Sequence, residues 1–323
     1  MNLALPSLFA SLTPVFLLIA LGYLAGRREW VRESALKDLA NLVFMVLIPA
    51  LLFRTMSSVH LQEVDLRPVV AYFPVVLLVF FAVVAWRGFH RESAVVAMAS
   101  VFSNMVMVGI ALVELAYGRA ALVTLITLIS VHGFILLSVG AVVLELAVAR
   151  EARARGDSSS KLWRTLGSVM KSSLVHPVPL PILCGLLFAQ TGWAMPAVLD
   201  KPLQLLGSAF GPVALLLVGV SLARTPLAGH WRSAFQVSLI KLLVLPLLVA
   251  LAAWGLGITG MPFTVMVVAA ALPVGANVYL FAQRYETAQA LTTATMGVST
   301  VLSVFTLSGA ILLLAWLNPV AGG

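Results

Sequence analysis

Two asparagines set into interruptions of apolar runs are the residues with most to offer chemically. Asn104 lies in Val101-Phe-Ser-Asn-Met-Val-Met-Val-Gly109, Asn277 in Ala271-Leu-Pro-Val-Gly-Ala-Asn-Val-Tyr-Leu280, and the two interruptions are about 169 residues apart. Their amides can donate to an anion, and they can equally cap backbone groups that leave a helix. A helix that restarts after a break exposes unpaired N–H groups and about half a positive charge, which suits a carboxylate. Ser103, Gly109, Pro273, Tyr279 and Ser299 complete the candidate substrate-binding set. Gly109 and Pro273 also fit a shaping role, since glycine relaxes φ and proline removes a donor.

Two further residues are candidates for ion coupling or charge balance. Lys241 is the one basic residue within an apolar stretch, where it could pair with an anionic substrate, replace a coupling sodium, or snorkel to the interface on its flexible stem. His132 could titrate and serve proton coupling, although a lone histidine in such a segment is more often a packing residue. Thr292, Thr295, Ser299, Ser303 and Thr306 form one helical stripe, fit for a polar path or for close helix packing. Glu114 and Glu145 fall near helix ends, where an interfacial role is expected.

The elements that must hold these residues are membrane helices. Hydrophobic residues make up 61% of the 323 and charged residues 10%, against about 25% charged in soluble domains. Ten stretches near the roughly 20 residues needed to cross a bilayer can be marked. They run approximately over 6–25, 39–56, 68–86, 94–115, 120–147, 174–191, 202–223, 234–254, 262–283 and 290–316. Both interruptions fall inside such stretches, the fourth and the ninth. A backbone that leaves the helical ladder within a bilayer survives only against protein or a water-filled site, and paired interruptions mark transporter binding sites. The first stretch lacks a basic leader and a small-residue cleavage site and is expected to stay as a membrane helix. Cys184 is the only cysteine, so no intramolecular disulfide is available.

Charge sets the expected orientation. Fifteen Lys and Arg residues fall in the connections of one side and Arg54, Arg67, Arg119 and Lys201 on the other, which puts the first set in the cytoplasm and both termini outside. The expected location is the inner (plasma) membrane. The net charge of +8 is thereby explained without nucleic acid, for which no basic module is present. A polar stretch over 150–173 separates a first five-helix repeat, 1–149, from a second, 174–323, and an odd count per half inverts one against the other. Gly22 with Gly185 and Pro49 with Pro212 both match at a spacing of 163. The expected fold is all-α and integral to the membrane, ten helices in two inverted five-helix repeats with crossed broken helices 4 and 9.

These segments resemble a known family. Asn41-Leu-Val-Phe-Met-Val-Leu-Ile-Pro-Ala-Leu-Leu-Phe53, Phe102-Ser-Asn104 with Gly109, Gly211-Pro-Val-Ala-Leu-Leu-Leu-Val-Gly-Val-Ser-Leu222 and Leu272-Pro-Val-Gly-Ala-Asn-Val-Tyr279 are similar to motifs of the auxin efflux carrier family, with its malonate-permease-like bacterial branch. Met105, Val106, Met107, Val108 and Ile110 depart from its commoner pattern of a small residue, Gly and Pro. The resemblance implies a scaffold and a crossed-helix transport domain, an elevator-like step, an organic-anion substrate and a homodimer.

Several classes are disfavoured on chemistry. Cation antiport at the crossing needs acidic or titratable groups there, yet Asp38, Asp65, Asp157 and Asp200 are all expected in loops. No metal-ligand spacing, nucleophile motif or phosphate loop indicates an enzyme, a cofactor or a metal. The reading is a secondary carrier of a small organic anion, with a mono- or dicarboxylate as the expected substrate class. A sodium-coupled carrier of a bulkier amphipathic anion, and a non-transporting receptor or channel, stay open.

Overall fold

The structure is a computed structural model and describes residues 4–59, 65–154, 179–224 and 229–317. Among these residues every extended element is helical. Most of the linker expected over 150–173 lies outside the described residues, as do Asp157 and residues 174–178.

In chain order the helices are α1 (Ala4–Arg27), α2 (Glu33–Leu42), α3 (Ile48–Met56), α4 (Arg67–Arg87), α5 (Arg91–Val101), α6 (Ile110–Ala154), α7 (Pro179–Gln190), α8 (Ala197–Ala223), α9 (Trp231–Leu239), α10 (Leu245–Gly255), α11 (Gly260–Ala271), α12 (Asn277–Arg284) and α13 (Gln289–Leu317). Wider π-helical turns join α2 to α3 over Val43–Leu47, α9 to α10 over Ile240–Val244, and open α6 over Met105–Gly109. The first two lead into Pro49 and Pro246, each in the opening turn of the next helix. Proline brings no N–H and crowds the preceding turn, so the ladder widens there. α6 joins the end of the expected fourth stretch to the fifth: it turns at Gly118, whose φ of +76° is open to glycine and strained for other residues.

Among the described residues six helical stretches are long and apolar enough to cross a membrane: Ser34–Met56, Arg67–Arg87, Met105–Glu151, Ala197–Ala223, Trp231–Gly255 and Gln289–Trp316. Shorter apolar helices run over Thr13–Arg27, Leu180–Gln190 and Gly260–Ala271. The molecule is therefore a multi-pass membrane protein, its apolar residues both packed inside and, at Leu78, Leu187, Trp254 and Phe305, left facing outward.

Two aspartates depart from expectation. Asp38 lies in α2 and Asp200 in the first turn of α8, not in loops. Hydropathy marks the part of a helix that suits lipid, whereas helical bonding continues into polar turns, and an acid in a first turn suits the helix dipole. Asp200 accepts Nε and Nη2 of Arg54 at 2.6 and 3.0 Å, tying α8 to α3. Asp65 is in a loop, where its bond to the Arg67 guanidinium holds the carboxyl below its usual range.

The helices pack in two groups. α1, α2, α3, α7 and α8 form one, and α4, α5, α6 and α9 to α13 the other. In the first group Gly22 and Gly26, spaced four apart on α1, face α8 so closely that a methyl at Gly22 would strike the Leu216 carbonyl. A Cβ at Gly185 on α7 would lie 2.7 Å from the Phe53 carbonyl of α3. In the second group Arg91 joins α5 to Glu151 of α6 at 2.7 Å, and Tyr285 donates to Glu145 at 3.0 Å. The ties of Arg54, Arg91 and Tyr285 each stay within one group.

Candidate functional site

The two interruptions meet. α5 stops at Val101 because Phe102 turns extended, with φ −78° and ψ 102°. α11 stops at Ala271 because Leu272, which precedes Pro273, is also extended, the conformation proline imposes on the residue before it. The freed segments run antiparallel and pair at Ser103 and Val274. Asn104 N donates to the Pro273 carbonyl at 2.8 Å, and Gly275 N donates to the Phe102 carbonyl at 2.9 Å. Each break thus satisfies backbone groups that the other strands. Space at the meeting point is minimal: a Cβ on Gly275 would lie 2.9 Å from the Phe102 ring, and one on Gly109 2.7 Å from the Leu272 side chain.

Side chains supply the remaining partners. The Asn104 Oδ1 accepts the Met107 N–H at 3.3 Å and so caps the restarted helix, while its backbone carbonyl accepts Val108 and Gly109 N–H. Ser299 on α13 accepts the Val274 N–H at 3.1 Å. Lys241, in the π-helical turn after α9, is fully buried, and its Nζ donates to the carbonyls of Ala270 and Leu272 at 2.5 and 2.7 Å. It does not snorkel; it closes the C-terminal end of α11. The end of α5 is met differently. There the buried Tyr72 hydroxyl lies 3.5 Å from the Ser103 Oγ, and His132 sits against the rings of Phe102, Tyr72 and Phe73 at centroid distances of 4.7, 6.2 and 6.2 Å. Both imidazole nitrogens of His132 are buried without a hydrogen-bond partner among the described residues.

Beside the meeting point lies a cavity of about 200 Å³ with two unlike walls. Asn104, Met107, Val274, Ala276, Met296 and Thr300 form one; Leu36, Phe44, Leu217, Val218, Ser221 and Leu222 form the facing wall, from the first helix group. Of the residues expected from sequence, Asn104 lines it. Ser103, Gly109, Pro273 and Ser299 are buried in the crossing itself. Asn277 opens α12 and is half-buried like Tyr279; neither is a lining residue, and the Asn277 amide takes no partner among the described residues. The α13 stripe mostly bonds back to its own helix: Thr295, Ser303 and Thr306 donate to carbonyls three or four residues earlier. Among the described residues no three His, Cys, Asp or Glu cluster as metal ligands would.

Sequence reasoning missed the facing wall and Thr300. Phe44, Leu217, Val218, Ser221 and Leu222 fall within the family-like segments 41–53 and 211–222, but nothing there assigns them to a cavity: Leu36, Ala40 and Phe44 are four apart and Leu217, Val218, Ser221 and Leu222 share one face of α8, a pattern that reads as ordinary helix packing.

Comparison with known proteins places the chain among membrane transporters. Residues 7–311 match the family described as "Membrane transport protein". A Rhizobium meliloti protein named "Putative malonate transporter" is 28% identical over 309 residues, covering 93% of this chain and 94% of that protein. The Escherichia coli protein named "Uncharacterized transporter YfdV" is 25% identical over 300 residues, covering 89% of this chain and 91% of its own. A mouse protein named "Lysosomal cholesterol signaling protein" is 23% identical over 262 residues, 76% of this chain but 30% of that longer protein. This chain belongs to the membrane transport protein family, the auxin efflux carriers, in agreement with its motifs.

Proposed function

We propose that this membrane transporter is a secondary active carrier of a small organic anion, a mono- or dicarboxylate, held at the crossing of the two broken helices. The observation that carries the reading is the cavity lined by Asn104 directly beside the Ser103–Val274 pairing. Two helices restart there, at Met105 and Asn277, and their positive ends favour a carboxylate. In this reading Asn104 binds the substrate from the cavity wall, and Asn277, whose amide takes no partner among the described residues, joins it from the restart of α12 beside the cavity; Ser103, Gly109, Pro273, Tyr279 and Ser299 shape and brace the crossing.

The same reading takes the ten spans as two inverted repeats, 1–149 and 174–323. Support comes from Gly22 and Gly185, matched at a spacing of 163, which occupy matched close contacts, α1 on α8 and α7 on α3. Transport proceeds by an elevator-type movement of the crossing group past the group of α1, α2, α3, α7 and α8. The largely apolar wall that the latter presents to the cavity suits sliding. In this reading the arginine-rich side is cytoplasmic in an inner-membrane protein, and the part of the cavity lined by Leu36, Ser221 and Leu222 lies toward the inner face.

Lys241 favours a sodium-independent cycle over the sodium-coupled alternative. Two carbonyls at the negative end of α11 are a natural cation site, and this side chain already fills it. His132 is the remaining candidate for proton coupling. The test is counterflow in proteoliposomes of the full chain. Labelled carboxylate accumulating against unlabelled internal acid, saturably and without sodium, is the expected result; linear, non-saturable flux or no flux with any carboxylate overturns the reading.

A further inference from the structure

We infer that the cavity selects a monocarboxylate with a short apolar tail and rejects dicarboxylates; the inference rests on the carboxylate-carrier reading above and narrows it. Among the described residues that line it there is no Lys, Arg or His. Lys241, the cation of the crossing, is committed to two backbone carbonyls and does not line the cavity. Polar groups that suit a carboxylate therefore belong to one wall, at Asn104 and the two break segments, with the Thr300 hydroxyl already donated to the Met296 carbonyl at 2.7 Å. A ligand anchored there points its other end at Phe44, Leu217, Val218 and Leu222, where Ser221 is the one hydroxyl among the lining residues of that wall.

That wall treats the two ligand types in opposite ways. An ionised second carboxylate loses its water and finds no cation and no array of N–H donors in return. A hydrocarbon tail gains from the same burial. Met107 and Met296 add unbranched, adaptable apolar surface on the side of the anchor, which suits tails of differing shape. The volume of about 200 Å³ lies below the roughly 300–1,000 Å³ of sites for drug-sized ligands, so the tail is short.

The experiment follows melting of the purified full chain with acids paired by carbon number: propionate against malonate, butyrate against succinate, valerate against glutarate. The monoacids are expected to raise the melting temperature, more strongly as the tail lengthens, with each diacid roughly tenfold weaker or more. Leu222→Lys places a cation in the apolar wall near the end of α8 and is expected to bring the diacid of each pair level with the monoacid. Phe44→Ala is the second variant, expected to weaken valerate more than propionate. Diacids that stabilise the wild type as well as monoacids, with both lost in Asn104→Ala, overturn the inference and leave the carrier reading standing. The inference also fails if folded Leu222→Lys and Phe44→Ala both keep the wild-type preferences. If no acid of either kind stabilises the protein, the carrier reading itself falls.

Discussion

The two breaks perform the same backbone task with different chemistry. At the second, Lys241 donates to the carbonyls of Ala270 and Leu272, and Ser299 accepts from Val274, so the end of α11 and the strand-like segment after it are held from behind. At the first, the end of α5 is backed by the Tyr72 and Ser103 hydroxyls and by an imidazole with no partner among the described residues, while Asn104 faces the cavity. One break is anchored and the other is presented. Similar helix breaks therefore need not bear similar loads: the second holds the crossing in shape, and the first offers it to a ligand.

Removing the anchor of the second break, by Lys241→Met, should have the largest effect. Two buried carbonyls lose a partner at once, and a loss of about 3 kcal/mol is expected, read from denaturant or thermal unfolding in detergent. Gly275→Ala comes next. Its new methyl would press on the Phe102 ring and the Ser103 carbonyl, at 2.9 and 3.2 Å, and about 2 kcal/mol of destabilisation is expected by the same measurement.

Asn104→Ala addresses the presented break. Loss of the cap on Met107 N–H costs about 1 kcal/mol, but ligand-induced stabilisation should vanish altogether, a separation that Lys241→Met would not show. His132→Phe is expected to have the smallest effect, from neutral to about 1 kcal/mol stabilising, because it replaces a polar ring that has no hydrogen-bond partner among the described residues and sits among aromatic rings. If His132→Phe instead abolishes counterflow while melting stays at the wild-type value, the histidine serves in coupling and the first break does more than present Asn104.

The breaks themselves were legible because proline, glycine and asparagine inside long apolar runs disrupt the helical ladder, which a bilayer tolerates only where protein or water meets the freed backbone. Asn104 was legible for the same reason. Lys241 was visible as an oddity, but its target was not, since the carbonyls of Ala270 and Leu272 lie about thirty residues away and backbone acceptors leave no mark in a sequence. Asp38 and Asp200 were misplaced because hydropathy follows the lipid boundary and not the hydrogen-bond ladder. The apolar wall of Phe44, Leu217 and Leu222 was hidden because a cavity-lining leucine and a packed one have the same spacing, and only the gap between two helix groups tells them apart.

Whether the crossing binds a carboxylate through Asn104 is decided by ligand-induced stabilisation of the wild type, Asn104→Ala and Lys241→Met across a carboxylate panel, each with and without sodium. Binding to the folded state alone adds about 2.7 kcal/mol at a hundredfold excess over Kd. A sodium-independent shift with a small carboxylate is expected in the wild type and none in Asn104→Ala. A wild-type shift that requires sodium, or an Asn104→Ala protein that responds as the wild type does, would contradict an anion site at the crossing.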